Sequence, residues 1–70
     1  MTIKEIRKEV KRIKSLSVSD YEAAHSAENS LWENVLETIQ SLPHPDGLHM
    51  MELATEALKT KKIKFSRHTA

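Results

Sequence analysis

Between positions 20 and 42, apolar side chains return at helical intervals: Tyr21, Ala24, Leu31, Trp32, Val35, Leu36, Ile39 and Leu42. Steps of three, four and seven match a period near 3.6 residues, the mark of an amphipathic helix. Neither glycine nor proline interrupts the run before Pro43. A helix of this length spans about 34 Å at 1.5 Å per residue. In a chain of 70 residues, everything else must pack along that rod. Its start is marked twice. Ser19 and Glu22 have the capping-box spacing, and Asp20 is an equally good N-cap. Its end falls before Pro43, because the residue preceding a proline is steered away from the α conformation.

Around this helix, at about 100° per residue, Glu22, Glu33 and Glu37 share the polar face. Ala24, Leu31, Val35, Ile39 and Leu42 form the apolar face, with Trp32 and Leu36 on one flank. Ala23, Ala27, Ser30, Asn34 and Thr38 form the other flank and are small enough to admit a neighbouring backbone. Glu28 breaks the pattern. It falls near the middle of the apolar face, with His25 one turn away on the Trp32 side. A buried carboxylate needs a partner. Two readings follow: an ion pair with His25 or with a Lys or Arg of the first helix, or an acid belonging to a binding site.

The first helix is expected over about 2–15. Thr2 and Glu5 make a second capping-box pattern, and Ile3, Ile6, Val10 and Ile13 form a short apolar seam amid basic residues. Residues 15–20 are expected as a short connection with Leu16 and Val18 tucked beneath the bundle, which makes the first two helices antiparallel neighbours. Pro43, His44 and Pro45 spell a stiff turn, and Asp46 is a good N-cap for a third helix over about 47–59. Met50, Met51, Ala54, Ala57 and Leu58 are its expected buried face, with Leu53, His49 and Glu56 opposite. In the basic tail over 61–70, Ile63 and Phe65 alternate with Lys62 and Lys64. That pattern suits an extended segment lying across the bundle. The expected fold is all-α: one small domain, a three-helix bundle with an extended basic C-terminal tail.

Composition bounds the chemistry. With no cysteine, there is no disulfide framework and no thiolate for zinc or nucleophilic attack, which fits a cytoplasmic protein. No apolar run approaches a membrane span. The net charge of +1 is unevenly spread: residues 1–16 carry six Lys/Arg and two Glu, residues 17–58 eight acids and no Lys or Arg, and residues 59–70 five Lys/Arg. Basic ends around an acidic centre are expected to fold onto it, and also make a surface that can meet phosphate.

No catalytic motif is present. The serines lie in caps and loops, and no glycine-rich loop cradles phosphate. Glu22 and His25 match the Glu-x-x-His spacing of helical di-metal sites, but such sites draw ligands from several helices, and Glu22 points away from the apolar face. No metal and no cofactor are expected. A helix-turn-helix reading fails on chemistry. The third helix opens with Leu48, His49, Met50, Met51 and Glu52, none of which is an Arg, Lys, Asn or Gln that reads base edges.

The block from Asp20 to Ile39, with Glu22-Ala23-Ala24-His25-Ser26, Glu28, Leu31, Val35-Leu36 and Ile39, resembles one in small, functionally uncharacterised proteins of phages and bacteria. Leu58-Lys59-Thr60, Ile63, Phe65 and Arg67 look similar too. Asn29 departs from an acidic position of that pattern, and His68 stands where a Trp is expected. The resemblance covers about half of the chain. It implies a phage-linked or accessory cytoplasmic protein and brings no established activity.

The expected function is therefore a non-enzymatic accessory or regulatory protein that binds another protein through His25, Glu28, Trp32 and Leu36. A homodimer is one way to cover the Ile seam and the Trp32/Leu36 flank, since so small a core rarely suffices alone. The alternative is nucleic-acid binding through Lys4, Lys8, Lys11, Lys62, Lys64 and Arg67. A third reading is a small-ligand site around His25 and Glu28.

Overall fold

The structure, a computed structural model, describes residues 1–42 and 47–65. Helices take in 87% of these residues, and none of them is in a strand. The chain is a three-helix bundle: α1 Ile3–Ser19, α2 Tyr21–Gln40 and α3 Gly47–Leu58, followed by a 3₁₀ turn Lys59–Lys62. The turn at 43–46, including the expected Asp46 cap, and the end of the tail at 66–70 lie outside the described residues.

The α1 start is the capping box its sequence spells. The Glu5 N–H donates to Thr2 Oγ1 at 3.2 Å, and the Thr2 N–H donates to Glu5 Oε1 at 2.8 Å. The helix then runs on through Ser19, where a connection over 15–20 was expected. Nothing in that stretch breaks a helix. Leu16 prolongs the apolar stripe of Ile13 one turn further and packs half-buried against the core. Ser17 Oγ caps the carbonyl of Lys14 at 2.6 Å. Val18 does not tuck under the bundle, being 90% exposed.

The whole connection between α1 and α2 is therefore Asp20. Its N–H closes α1 on the carbonyl of Leu16 at 2.6 Å, while its carboxylate accepts the Ala23 N–H at 3.1 Å and opens α2. The competing cap, Ser19, is spent as the last residue of α1. At the far end, α2 stops at Gln40, two residues short of expectation. Leu42 precedes Pro43 and reaches only the carbonyl of Ile39, three residues back.

With one residue between them, α1 and α2 must be antiparallel, and Met1 accordingly meets Thr38, its N donating to Oγ1 at 3.2 Å. On the other side of α1, Ile3 shares a cleft with Leu48 and Arg7 pairs with Glu56, so α3 runs parallel to α1. The buried core is Ile6 and Ile13 from α1, Ala24, Ala27, Leu31 and Val35 from α2, and Leu53 and Ala57 from α3. Burying a side chain the size of Leu31 stabilises by about 1.5–3 kcal/mol. Ile63 and Phe65 of the tail pack half-buried against this core, as their alternation with lysines predicts.

The face of α3 differs from expectation. Leu53 has no exposed surface, and Glu56 and Ala57 are buried beside it. Met51 and Leu58, expected inside, stand at the surface. The helix is turned by about 100°, one residue's worth. Leu48, Met50, Met51, Leu53, Ala54, Ala57 and Leu58 spread apolar surface around most of α3, so hydrophobicity alone selects no orientation. The polar partners select it. Arg7 Nη2 of α1 reaches Glu56 Oε1 at 3.1 Å. Lys59 Nζ donates to the same oxygen at 3.0 Å and lies 2.9 Å from Oε2, which receives no aligned hydrogen bond.

Candidate functional site

Trp32 is held by the 3₁₀ turn. Its indole N–H is shared between Thr60 Oγ1 at 3.2 Å and the carbonyl of Ala57 at 3.3 Å. The Thr60 hydroxyl donates to the same carbonyl at 3.2 Å and is fully buried. A buried indole N–H finds a partner in most folds, and here the partner lies at the end of α3. The bond ties α2 to the C-terminal part of the chain and fixes the ring plane.

Beside the fixed ring, α2 and α3 leave a cleft of about 280 Å³ lined by Trp32, Val35, Leu36, Ile39, Ala54, Ala57 and Leu58. Every lining side chain is apolar. Two stand at the rim in water: Leu36 is 66% exposed and Leu58 51% exposed. The alanines keep the α3 wall low, and the polar face of α2, with Glu33 and Glu37 exposed, borders the opposite edge. Such a cleft offers no acid, base or nucleophile to a substrate. What it offers is dry surface with one rigid aromatic, the arrangement on which an apolar anchor of another chain docks.

Of the four residues singled out from sequence, Trp32 and Leu36 line this cleft and His25 and Glu28 do not. Glu28 is 1% exposed, as its place on the apolar face required, and it is engaged by a partner. That partner is not the His25 imidazole: both ring nitrogens of His25 are buried with no hydrogen bond. Among the described residues, no three of His, Asp and Glu are grouped to hold a metal ion.

Sequence reasoning missed Leu58, Ala54 and Ala57 as lining residues because it placed them in the core. The available signal was the surplus of apolar residues on α3, more than one buried face can absorb.

The basic residues divide. Lys11, Lys62 and Lys64 line one groove together with Lys14 and Lys59, two lysines that sequence did not single out. Lys8 does not line this groove but an adjoining surface of α1, which it shares with Lys11, Glu5, Glu9 and Arg12, and Lys4 lines neither surface. Arg67 lies outside the described residues. No described helix is long and apolar enough to cross a membrane.

Comparison with protein-family models, with curated proteins and with solved structures finds no match to this chain.

Proposed function

We propose that this chain is a small non-enzymatic accessory protein that works by binding another protein at the α2/α3 cleft. The observation that carries the reading is the cleft itself: six apolar side chains around a hydrogen-bonded Trp32, with Leu36 and Leu58 held out in water at its rim. Burying such a rim contributes about 25 cal/mol per Å² of apolar surface, and fixed aromatics at the centre of a patch are the usual anchors of binding energy. Glu33 and Glu37 on the adjoining face of α2 are exposed. The partner segment is accordingly an amphipathic helix with an apolar face and basic flanks, the helix-in-groove mode of recognition. A phage-linked, cytoplasmic setting is part of the proposal, supported by the Glu22-Ala23-Ala24-His25-Ser26 block.

The test is affinity capture from lysate with the native chain and with Leu36→Glu. Leu36 is mostly exposed, so the substitution leaves the fold intact while placing a charge in the cleft. We expect one stoichiometric protein that survives nuclease treatment and is lost with Leu36→Glu. Equal recovery by both chains, or no recovery by either, overturns the proposal. Sedimentation of the purified chain separates this from self-association: a homodimer that dissociates on Leu36→Glu would make a second copy the occupant instead.

A further inference from the structure

A second surface, on the far side of α3, carries different chemistry. Along α1, Lys11 and Lys14 are three residues apart and share a helix face. Across from them, Lys59 and Lys62 are also three residues apart, but in a 3₁₀ turn. Three residues per turn stack positions i and i+3 directly above one another, so this turn roots both lysines on one face, the Lys59 ammonium being held on Glu56. Thr60 between them is fully buried against the Trp32 indole, which locks the turn with its lysines outward. The backbone then becomes extended at Ile63 and brings Lys64 to the same place. The result is a groove of about 500 Å³ with five lysines on its walls and Val10, Val18 and Ile63 among its apolar lining. Among the described residues, no carboxylate lines it. Of the five, Lys59 is tied to Glu56.

From this juxtaposition we infer that the Lys11/Lys14/Lys59/Lys62/Lys64 groove binds the phosphate backbone of a nucleic acid without regard to sequence. With Lys59 neutralised by Glu56, the other four lysines around one concavity repel each other, and a chain of phosphates relieves the repulsion at several points at once. All five are lysines, point charges that hold phosphate without the planar fork that reads guanine. A single free phosphate is better served by the backbone amides of a helix N-terminus; α1 and α3 start at the other end of the bundle, and no residue of the α2 start is among the groove's described lining. A planar anionic membrane cannot enter a concavity, and Phe65, the one aromatic nearby in sequence, is packed against the core rather than free to insert. The charge distribution supports the orientation. The exposed Glu22, Glu33 and Glu37 of α2 lie on another face of the bundle, so a polyanion is drawn to one side and repelled from the other.

The experiment is fluorescence anisotropy of a labelled random-sequence DNA duplex with the full chain, titrated over about 50–200 mM salt. Neutralising four or five phosphates gives a log–log slope of about −4, an affinity loss of about 10²-fold over that range. Lys14→Gln with Lys62→Gln, both at exposed positions, makes the slope shallower by about 2. Lys11→Gln with Lys64→Gln does the same, and Lys8→Gln, outside the groove, leaves it unchanged. A slope near zero, the same loss from Lys8→Gln as from the groove pairs, or tighter binding to phosphatidylserine vesicles than to the duplex overturns the inference.

Discussion

Leu53 and Met51 sit two residues apart on α3, and hydropathy hardly separates them, yet Leu53 is fully buried and Met51 is 65% exposed. Truncation should separate them. We expect Leu53→Ala to lose about 2–5 kcal/mol, transfer and cavity terms together, and Met51→Ala to stay within about 0.5 kcal/mol. Urea denaturation of the two variants measures the difference, and a loss from Met51→Ala as large as that from Leu53→Ala would overturn this orientation of α3. Glu56, buried beside Leu53 in this orientation, is held there through charge. The hydrogen bond from Arg7, then that from Lys59, hold its carboxyl below the usual carboxylate range, against the opposing effect of burial. A carboxyl whose pKa is lowered on folding stabilises the fold above its unfolded pKa, and loses that contribution as pH falls through the folded value. Glu56→Gln should therefore lower the melting temperature at neutral pH, with the gap to the parent closing as pH drops through and below the carboxylate range. Arg7 and Lys59 are themselves largely exposed, so solvent screens the pair and added salt should narrow the same gap. A gap that ignores both pH and salt would mean that Glu56 acts by shape alone.

At the scale of elements, the joint between α1 and α2 concentrates two functions in one side chain position. Asp20 ends one helix with its backbone and starts the next with its carboxylate. Replacing an Asp N-cap by Ala costs about 0.5–2 kcal/mol. We expect Asp20→Ala to fall in that range and Asp20→Asn, which keeps the accepting oxygen, to lose little. Thermal unfolding of both variants checks it. Sequence located the start of α2 to within a residue, because Ser19-x-x-Glu22 and Asp20 are both valid caps, but it ended α1 near Ser15, four residues early. The choice depends on how far α1 runs, and α1 runs to Ser19 because Leu16 finds apolar neighbours. Cap chemistry is local and readable. Helix length is decided by packing, which sequence states only in part.

For the whole molecule, the basic ends fold onto the acidic middle through both charge and apolar contact. Arg7 and Lys59 converge on Glu56, and among the described residues the other ion pair, Arg12 with Glu9, lies within α1. The tail docks by apolar contact, with Ile63 and Phe65 half-buried against the core. Ile63→Ala with Phe65→Ala should cost about 2–4 kcal/mol, roughly half the value for fully buried side chains. It should also weaken the hold on Trp32, shifting its fluorescence toward that of a solvated indole. A variant as stable as the parent, with unchanged emission, would show that the tail contributes no packing.

The three helices, the caps that start α1 and α2, the inward Ile63 and Phe65 of the tail and the core stripes of α1 and α2 were legible in the sequence. Each follows from periods and caps that act within a few residues. The anomaly at Glu28 was legible as well, since the wheel put a carboxylate where apolar residues belong, and it is buried there. The half of the cleft made by α2 could be read as a flank of Trp32 and Leu36. Its other half could not, because α3 is apolar around most of its circumference and has no preferred face of its own. That face was chosen by an ion pair 49 residues apart along the chain and by an indole hydrogen bond 28 residues apart. The same holds for the lysine groove. Sequence counted the charges, but only the 3₁₀ turn and the docking of α3 beside α1 set five of them around one space. What a residue does to its near neighbours is written in the sequence. Which surfaces meet, and so which side chains are left to meet something else, is settled only when distant partners satisfy one another in three dimensions.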